Sequence, residues 1–155
     1  MSTRQVFEHS ISIQAEAADV ERCLTRLDLM HRWLNPILRC EPIGDWSTDV
    51  GAQSRFTIQL PLGQPTLVST VAEREPGLIV WSFSGFFNGR DHWHYHTQRG
   101  ETHLLNRFEF EIPNPWVQTG FNWFAAPWTK RDMAAQLRRL KQVAETLSNP
   151  CRDED

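Results

Sequence analysis

Turn signals recur through the middle of this chain at intervals too short for helices and regular enough for a meander. They fall at Gly44-Asp45, Asp49-Val50-Gly51, Pro61-Leu62-Gly63, Pro76-Gly77, Asn88-Gly89 and Arg99-Gly100. The runs between them are Ile37 to Ile43, Ala52 to Leu60, Thr66 to Glu73, Leu78 to Gly85, Arg90 to Thr97 and Thr102 to Ile112. Each has the length of a strand, and turns this short join antiparallel neighbours. Alternation is clearest in two of them. Phe56, Ile58 and Leu60 oppose Arg55 and Gln59, and Leu104, Phe108, Phe110 and Ile112 oppose His103, Arg107, Glu109 and Glu111.

Before the meander, Phe7, His9, Ile11 and Ile13 alternate with Glu8, Ser10, Ser12 and Gln14, which predicts a half-buried first strand. Good helix formers follow. Val20, Cys23, Leu24 and Leu27 make one apolar stripe, and Leu29, Met30, Trp33 and Leu34 a second. Asp28 is placed to cap the second piece, giving two short helices that Pro36 ends. After the meander, Met133, Leu137, Leu140, Ala144 and Leu147 recur at helical spacing, predicting a helix from about Thr129 to Leu147. Pro127 either sits near its start or kinks a longer helix beginning around Trp116. Lys130, Arg131, Arg138, Arg139 and Lys141 read as its solvated side.

The expected architecture is therefore α+β, with a seven-stranded antiparallel sheet and two short helices after the first strand. Two short helices cannot cover the whole face of such a sheet, so the long C-terminal helix must lie across it. One domain is expected over residues 1–148, with a polar, frayed tail over residues 149–155.

Order and local sequence together resemble the SRPBCC superfamily, the START-like, polyketide cyclase/dehydrase and lipid transport type of helix-grip protein. The residues that carry the likeness are SISIQAEAADVERCL from Ser10, RWLNP from Arg32, the Asp49-Val50-Gly51 turn, EREPGLIVWSFSG, GETHLLNRFEF and MAAQLRRLKQVAE. The resemblance spans Val6 to about Leu147. The resemblance implies a curved sheet wrapped around the C-terminal helix, with a deep cavity between them. It supplies no catalytic motif to carry over, because members that share this fold differ in chemistry.

Composition points the same way. Seven Trp and nine Phe bring more apolar ring area than a small core requires, and such rings suit the walls of a ligand cavity. A net charge of −3 argues against general nucleic-acid affinity. Cys23, Cys40 and Cys151 form neither a CxxC pair nor a disulfide framework, and no apolar stretch approaches the ~20 residues needed to span a bilayer. The opening MSTRQVFEHS has no apolar run behind its Arg, so the expected location is the cytoplasm. No phosphate or dinucleotide loop and no GxSxG elbow is present, and no cofactor is expected. Monomer and dimer are both left open.

Within Asp91 to His96, three histidines alternate with Trp93 and Tyr95, so the imidazoles share one face and the rings the other. A symmetric Gln98-Arg99-Gly100-Glu101 turn sets Tyr95 opposite Leu104 and Trp93 opposite Asn106, turning the aromatics inward. A three-residue turn or a bulge reverses the faces, and His92, His94 and His96 would then converge as a candidate metal site. Apolar bias favours the first arrangement, with Arg90 and Asp91 in a turn.

The candidate ligand walls are Trp33, Phe56, Ile58, Trp81, Phe83, Trp93, Tyr95, Asn106, Phe108, Phe124, Trp128, Met133 and Leu137. Asn106 stands out as a lone amide on an apolar face that must find a partner, in the ligand or in a neighbouring side chain. The first functional expectation is a binding or carrier protein for a hydrophobic small molecule such as a lipid, quinone, polyketide or other aromatic. The alternative is a polyketide-cyclase-like or hydrolase-like enzyme in the same cavity, for which His9, Tyr95 and His94 are the candidate acid–base groups. A third possibility is a protein-interaction module that uses the fold as a docking surface; the Gly120 to Phe124 segment (GFNWF) reads as a membrane-touching or partner-binding patch, or else as the closure of one cavity end.

Overall fold

The computed structural model describes residues 4–59, 63–85, 87–111 and 126–149, with side chains in the last segment described from residue 131. Strand β1 (Gln5–Ile13) is followed by helices α1 (Ala17–Thr25) and α2 (Leu27–Trp33). The meander then runs through β2 (Leu38–Ile43), β3 (Gln53–Ile58), β4 (Thr66–Glu75), β5 (Leu78–Gly85), β6 (Asn88–Gln98) and β7 (Glu101–Glu111). Helix α3 (Ala126–Ser148) ends the described chain. The strands form one seven-stranded antiparallel sheet in the order β1-β7-β6-β5-β4-β3-β2. Each meander strand thus pairs with its sequence neighbour, while β1 closes the order by pairing with β7 (Phe7 opposite Phe108, Ile11 opposite Leu104).

The β6–β7 hairpin takes the register that a symmetric turn predicts. Thr97 lies opposite Thr102, Tyr95 opposite Leu104 and Trp93 opposite Asn106. Arg99 and Gly100 both adopt positive φ (56° and 77°), as a two-residue turn of type I′ requires. This turn chemistry fixes the strand faces, and Trp93 and Tyr95 are buried while His94 and His96 are exposed.

Four local expectations are corrected. Asp28 does not cap α2. Arg26 occupies the N-cap with extended dihedrals, and Asp28 sits in the first turn, where its carboxylate accepts from the Arg26 guanidinium. Asn88 and Gly89 belong to β6 rather than to a turn, and so do Arg90 and Asp91. Helix α3 is described from Ala126, so helical structure reaches three residues further back than the expected start and includes Pro127, while the alternative of a longer helix from around Trp116 lies outside the described residues. Finally, Arg139 and Lys141 are not merely solvated. Arg139 Nε donates to the Trp33 carbonyl (2.9 Å) and Lys141 Nζ to the Ser12 carbonyl (2.9 Å).

Those bonds help seat α3 on β1, α1 and α2. Its apolar stripe of Met133, Leu137, Leu140, Val143 and Ala144 is buried. The larger core cluster joins the second half of this stripe to Val20, Leu24, Met30, Trp33, Trp81, Trp93 and Tyr95. A second cluster gathers Phe7, Leu67, Phe83, Phe110 and Met133, with Phe56, Phe87 and Phe108 packed against it. Cys23 and Cys40 lie buried as small apolar residues, and burial pushes their thiols up to about 12 and about 11. They are therefore not thiolate nucleophiles at neutral pH. Cys151 and the tail beyond Asn149 fall outside the described residues.

Candidate functional site

Between the two aromatic clusters, the inner face of the sheet carries a short polar row. Period-2 alternation turns His9 of β1 inward with Phe7 and Ile13, Asn106 of β7 inward with Leu104 and Phe110, and Asp91 of β6 inward with Trp93 and Tyr95. His9 lies opposite Asn106 across β1 and β7. Asn106 donates its amide to Asp91 Oδ1 (2.6 Å) and to the His92 carbonyl (3.1 Å). The indole of Trp93 donates to Asp91 Oδ2 (2.8 Å). The row His9–Asn106–Asp91 thus crosses three strands.

Both oxygens of the Asp91 carboxylate take neutral donors. Burial raises its pKa from the ordinary 3.8 to about 6, with the Asn106 and Trp93 hydrogen bonds only partly offsetting that cost. The folded protein therefore holds this proton more tightly than the unfolded chain does. Stability contributed by the site is expected to decline as pH rises from about 4 to about 6, by on the order of a few kcal/mol. Urea denaturation of the wild type and Asp91→Asn across that range measures it. Parallel pH profiles for the two proteins would refute the assignment.

The opposite end of β6 is built differently. Tyr95 Oη donates to Glu21 Oε1 (2.9 Å), which also pairs with Arg74 Nη2 (2.7 Å). Arg74 reaches inward because β4 carries a bulge between Val71 and Glu73, which switches the facing of the residues after it. Burial works against the Glu21 charge, but hydrogen bonds from Arg74 and Tyr95 and the guanidinium's charge hold it below the usual carboxylate range. Burial, then Glu21, push the Tyr95 phenol up to about 12. Tyr95 is thereby committed to tying α1 to the sheet.

The other sequence-derived wall residues separate into two groups. Trp33 (3 % exposed) donates its indole N–H to the Cys23 carbonyl (2.8 Å) and packs edge-to-face on Trp93 at 5.4 Å, within the closed cluster with Trp81 and Leu137. Phe83, Phe108 and Met133 belong with the second cluster, where Phe83 stacks on Phe108 at 5.2 Å. Phe56 touches both clusters, and Ile58 is half-buried at the end of β3. Phe124 and the side chain of Trp128 lie outside the described residues, as does the GFNWF segment. His9, Phe56, Ile58, Asp91 and Phe108 face inward yet keep accessible surface, which marks where the inner face is least tightly covered.

His92, His94 and His96 stand on the outer face. The first two stack in parallel with centroids 6.4 Å apart, and His96 approaches His103, whose Nδ1 meets Ser12 Oγ at 3.0 Å. Burial and the neighbouring His94 lower the basicity of His92. Among the described residues no group of three His, Cys, Asp or Glu side chains comes together to hold a metal ion. An open groove of about 460 Å³ runs beside His94, His96 and His103.

Sequence reasoning missed Asp91 by giving it to a turn. The parity that turns Trp93 and Tyr95 inward also places Asp91 inward, and that signal was available. Arg74 had no such signal, because one inserted residue inverts its face.

A family model described as polyketide cyclase / dehydrase and lipid transport matches residues 4–145. Solved structures share the fold. TTHA0849 from Thermus thermophilus has a TM-score of 0.75 at 12% identity, covering 93% of this chain and 99% of that one. The Zhui aromatase/cyclase from Streptomyces sp. R1128 has a TM-score of 0.73 at 15% identity, covering 93% and 95%. Ara h 8.0201 has a TM-score of 0.65 at 9% identity, covering 92% and 98%. At these identities the likeness is one of fold. No curated protein matches the sequence. Among the described residues no helix is long and apolar enough to cross a membrane.

Proposed function

We propose that this chain, which belongs to the polyketide cyclase/dehydrase and lipid-transport family, binds a hydrophobic small molecule against the inner face of its sheet. The observation that carries this reading is the pairing of a partly accessible aromatic wall with one polar row. Phe56 and Phe108 keep accessible surface, with the buried Phe83 and Met133 packed alongside them, near Asp91, Asn106 and His9. Ligand carbons buried there contribute roughly 25 cal/mol per Å², and the polar row fixes orientation. Ile58, Phe124 and Trp128 belong to the same proposal, whereas Trp33, Trp81, Trp93, Tyr95 and Leu137 belong to the closed core cluster.

Titration with a panel of fatty acids, quinones and polycyclic aromatics is expected to quench tryptophan fluorescence saturably. Phe108→Ala, which trims a half-buried wall residue, should weaken binding roughly threefold to tenfold. A panel that gives no saturable change in the wild type would overturn the reading.

Catalysis on the bound molecule is a second reading, favoured by two inward titratable groups, His9 and Asp91. His9 Nδ1 is buried without a hydrogen-bond partner among the described residues. An inward acid and base on one face of the sheet, here on β6 and β1 with β7 between them, are what a cyclase- or hydrolase-like reaction needs. Turnover of a bound polyketide-like substrate that survives both His9→Ala and Asp91→Asn would remove this reading.

A further inference from the structure

We propose that the molecule held on this inner face carries a protonated amine that pairs with Asp91, an inference that rests on the ligand-binding reading above. The reason is an imbalance among the shielded carboxylates. Glu21 has the Arg74 guanidinium, and Glu109 on the outer face has both Arg4 and Arg107. Asp91 has an indole N–H and an amide N–H, and among the described residues no cation pairs with it. A carboxylate offers about four acceptor positions, and these two donors leave about half of them free. Shielded charge without a counter-charge is costly, so a ligand that supplies one recovers energy that a neutral ligand does not.

The surroundings suit such a group. Asp91 lies opposite Trp81 on β5 and Phe108 on β7, and Phe108 stacks with Phe83. Aromatic faces attract an ammonium within about 6 Å of their centroids, while the rest of the ligand finds apolar wall. Beyond those two neutral donors, no charged partner for Asp91 stands among the described residues. His9 sits beyond Asn106, which spends its amide hydrogens on Asp91 and the His92 carbonyl. Among the described residues, the titratable group sharing this part of the face is His9. Strands β5 and β7 present Trp81, Asn106 and Phe108, α3 presents Met133 and Leu137, and Tyr95 further along β6 is engaged with Glu21 and Arg74.

Matched ligands test the idea on the full chain by calorimetry at pH 7.5, with 4-phenylbutylamine, 4-phenylbutanol and 4-phenylbutyrate. The amine is expected to bind at least tenfold tighter than the alcohol, and the acid weakest. Asp91→Asn should bring amine and alcohol within about threefold of each other. In the wild type the preference should also fade as pH falls from 7.5 to 5, because Asp91 becomes protonated; this arm needs no substitution. His9→Gln should keep that pH dependence, and its disappearance there would assign the effect to His9 and overturn the role of Asp91. Alcohol binding as tightly as amine in the wild type would overturn the amine inference and leave the ligand-binding reading standing. Saturable binding of none of the three, nor of the wider panel, would remove that reading and this inference with it.

Discussion

Trp93→Ala is expected to lower stability by about 3–5 kcal/mol, read as a shift of the urea midpoint at pH 7. Trp93 is 4 % exposed and meets Trp33 of α2 edge-to-face at 5.4 Å, so its ring joins the helical layer to the middle of the sheet. Truncation removes the transfer energy of the indole and leaves a void that surrounding residues such as Ile79 and Leu104, both essentially inaccessible, have little room to fill. It also takes from Asp91 one of its two donors. Trp93→Phe separates these contributions, since it retains most of the ring and removes the N–H. Its expected cost is about 1–3 kcal/mol, the penalty for an under-satisfied buried acceptor. A loss below about 1 kcal/mol for the alanine variant would mean that α2 is not seated on β6 through this ring.

Much of this fold is written in local sequence. Arg99-Gly100 can form only a narrow set of turns, and that turn dictates which residues of β6 and β7 face each other. Once Phe108 and Phe110 identify the inner side of β7, parity carries the assignment to Trp93 and Tyr95, and it extends to Asp91 at no further cost. The pairing of β1 with β7 joins residues about a hundred positions apart, and no local pattern encodes it. What stayed hidden is what periodicity does not encode. A single extra residue at Ala72 turns Arg74 inward, and its pairing with Glu21 depends on where α1 comes to rest. Arg139 and Lys141 look like surface cations on a helical wheel, yet their long stems carry the charge to backbone carbonyls at Trp33 and Ser12. The acidity of Asp91 belongs to the same class, because it arises from burial and from donors two and fifteen positions away.

Gly89 is the position where the smallest substitution should have one of the largest effects. Asn88-Gly89 looks like a turn dipeptide, but the pair begins β6, with Gly89 opposite Phe83 on β5 and Phe110 on β7. A Cβ built on Gly89 would fall on the Glu109 carbonyl oxygen and lie 2.7 Å from the Phe110 Cα. These are backbone atoms of a paired strand, so no rotamer change relieves the overlap; β6 would have to part from β7. Gly89→Ala is therefore expected to cost roughly 3 kcal/mol or more, near the upper end for overpacking. Amide exchange should accelerate at Glu109 and Glu111, the end of the ladder that separates. Gly100→Ala supplies the control. Its Cβ would meet nothing within 4 Å, and its positive φ carries a cost of only about 1–2 kcal/mol. Because Asp91 lies two residues beyond Gly89 on the same face, parting the strands also moves the carboxylate away from Asn106, and any amine preference should fall with stability. If Gly89→Ala proves no more damaging than Gly100→Ala, the two backbones do not approach so closely, and the placement of Asp91 beside Asn106 loses its support.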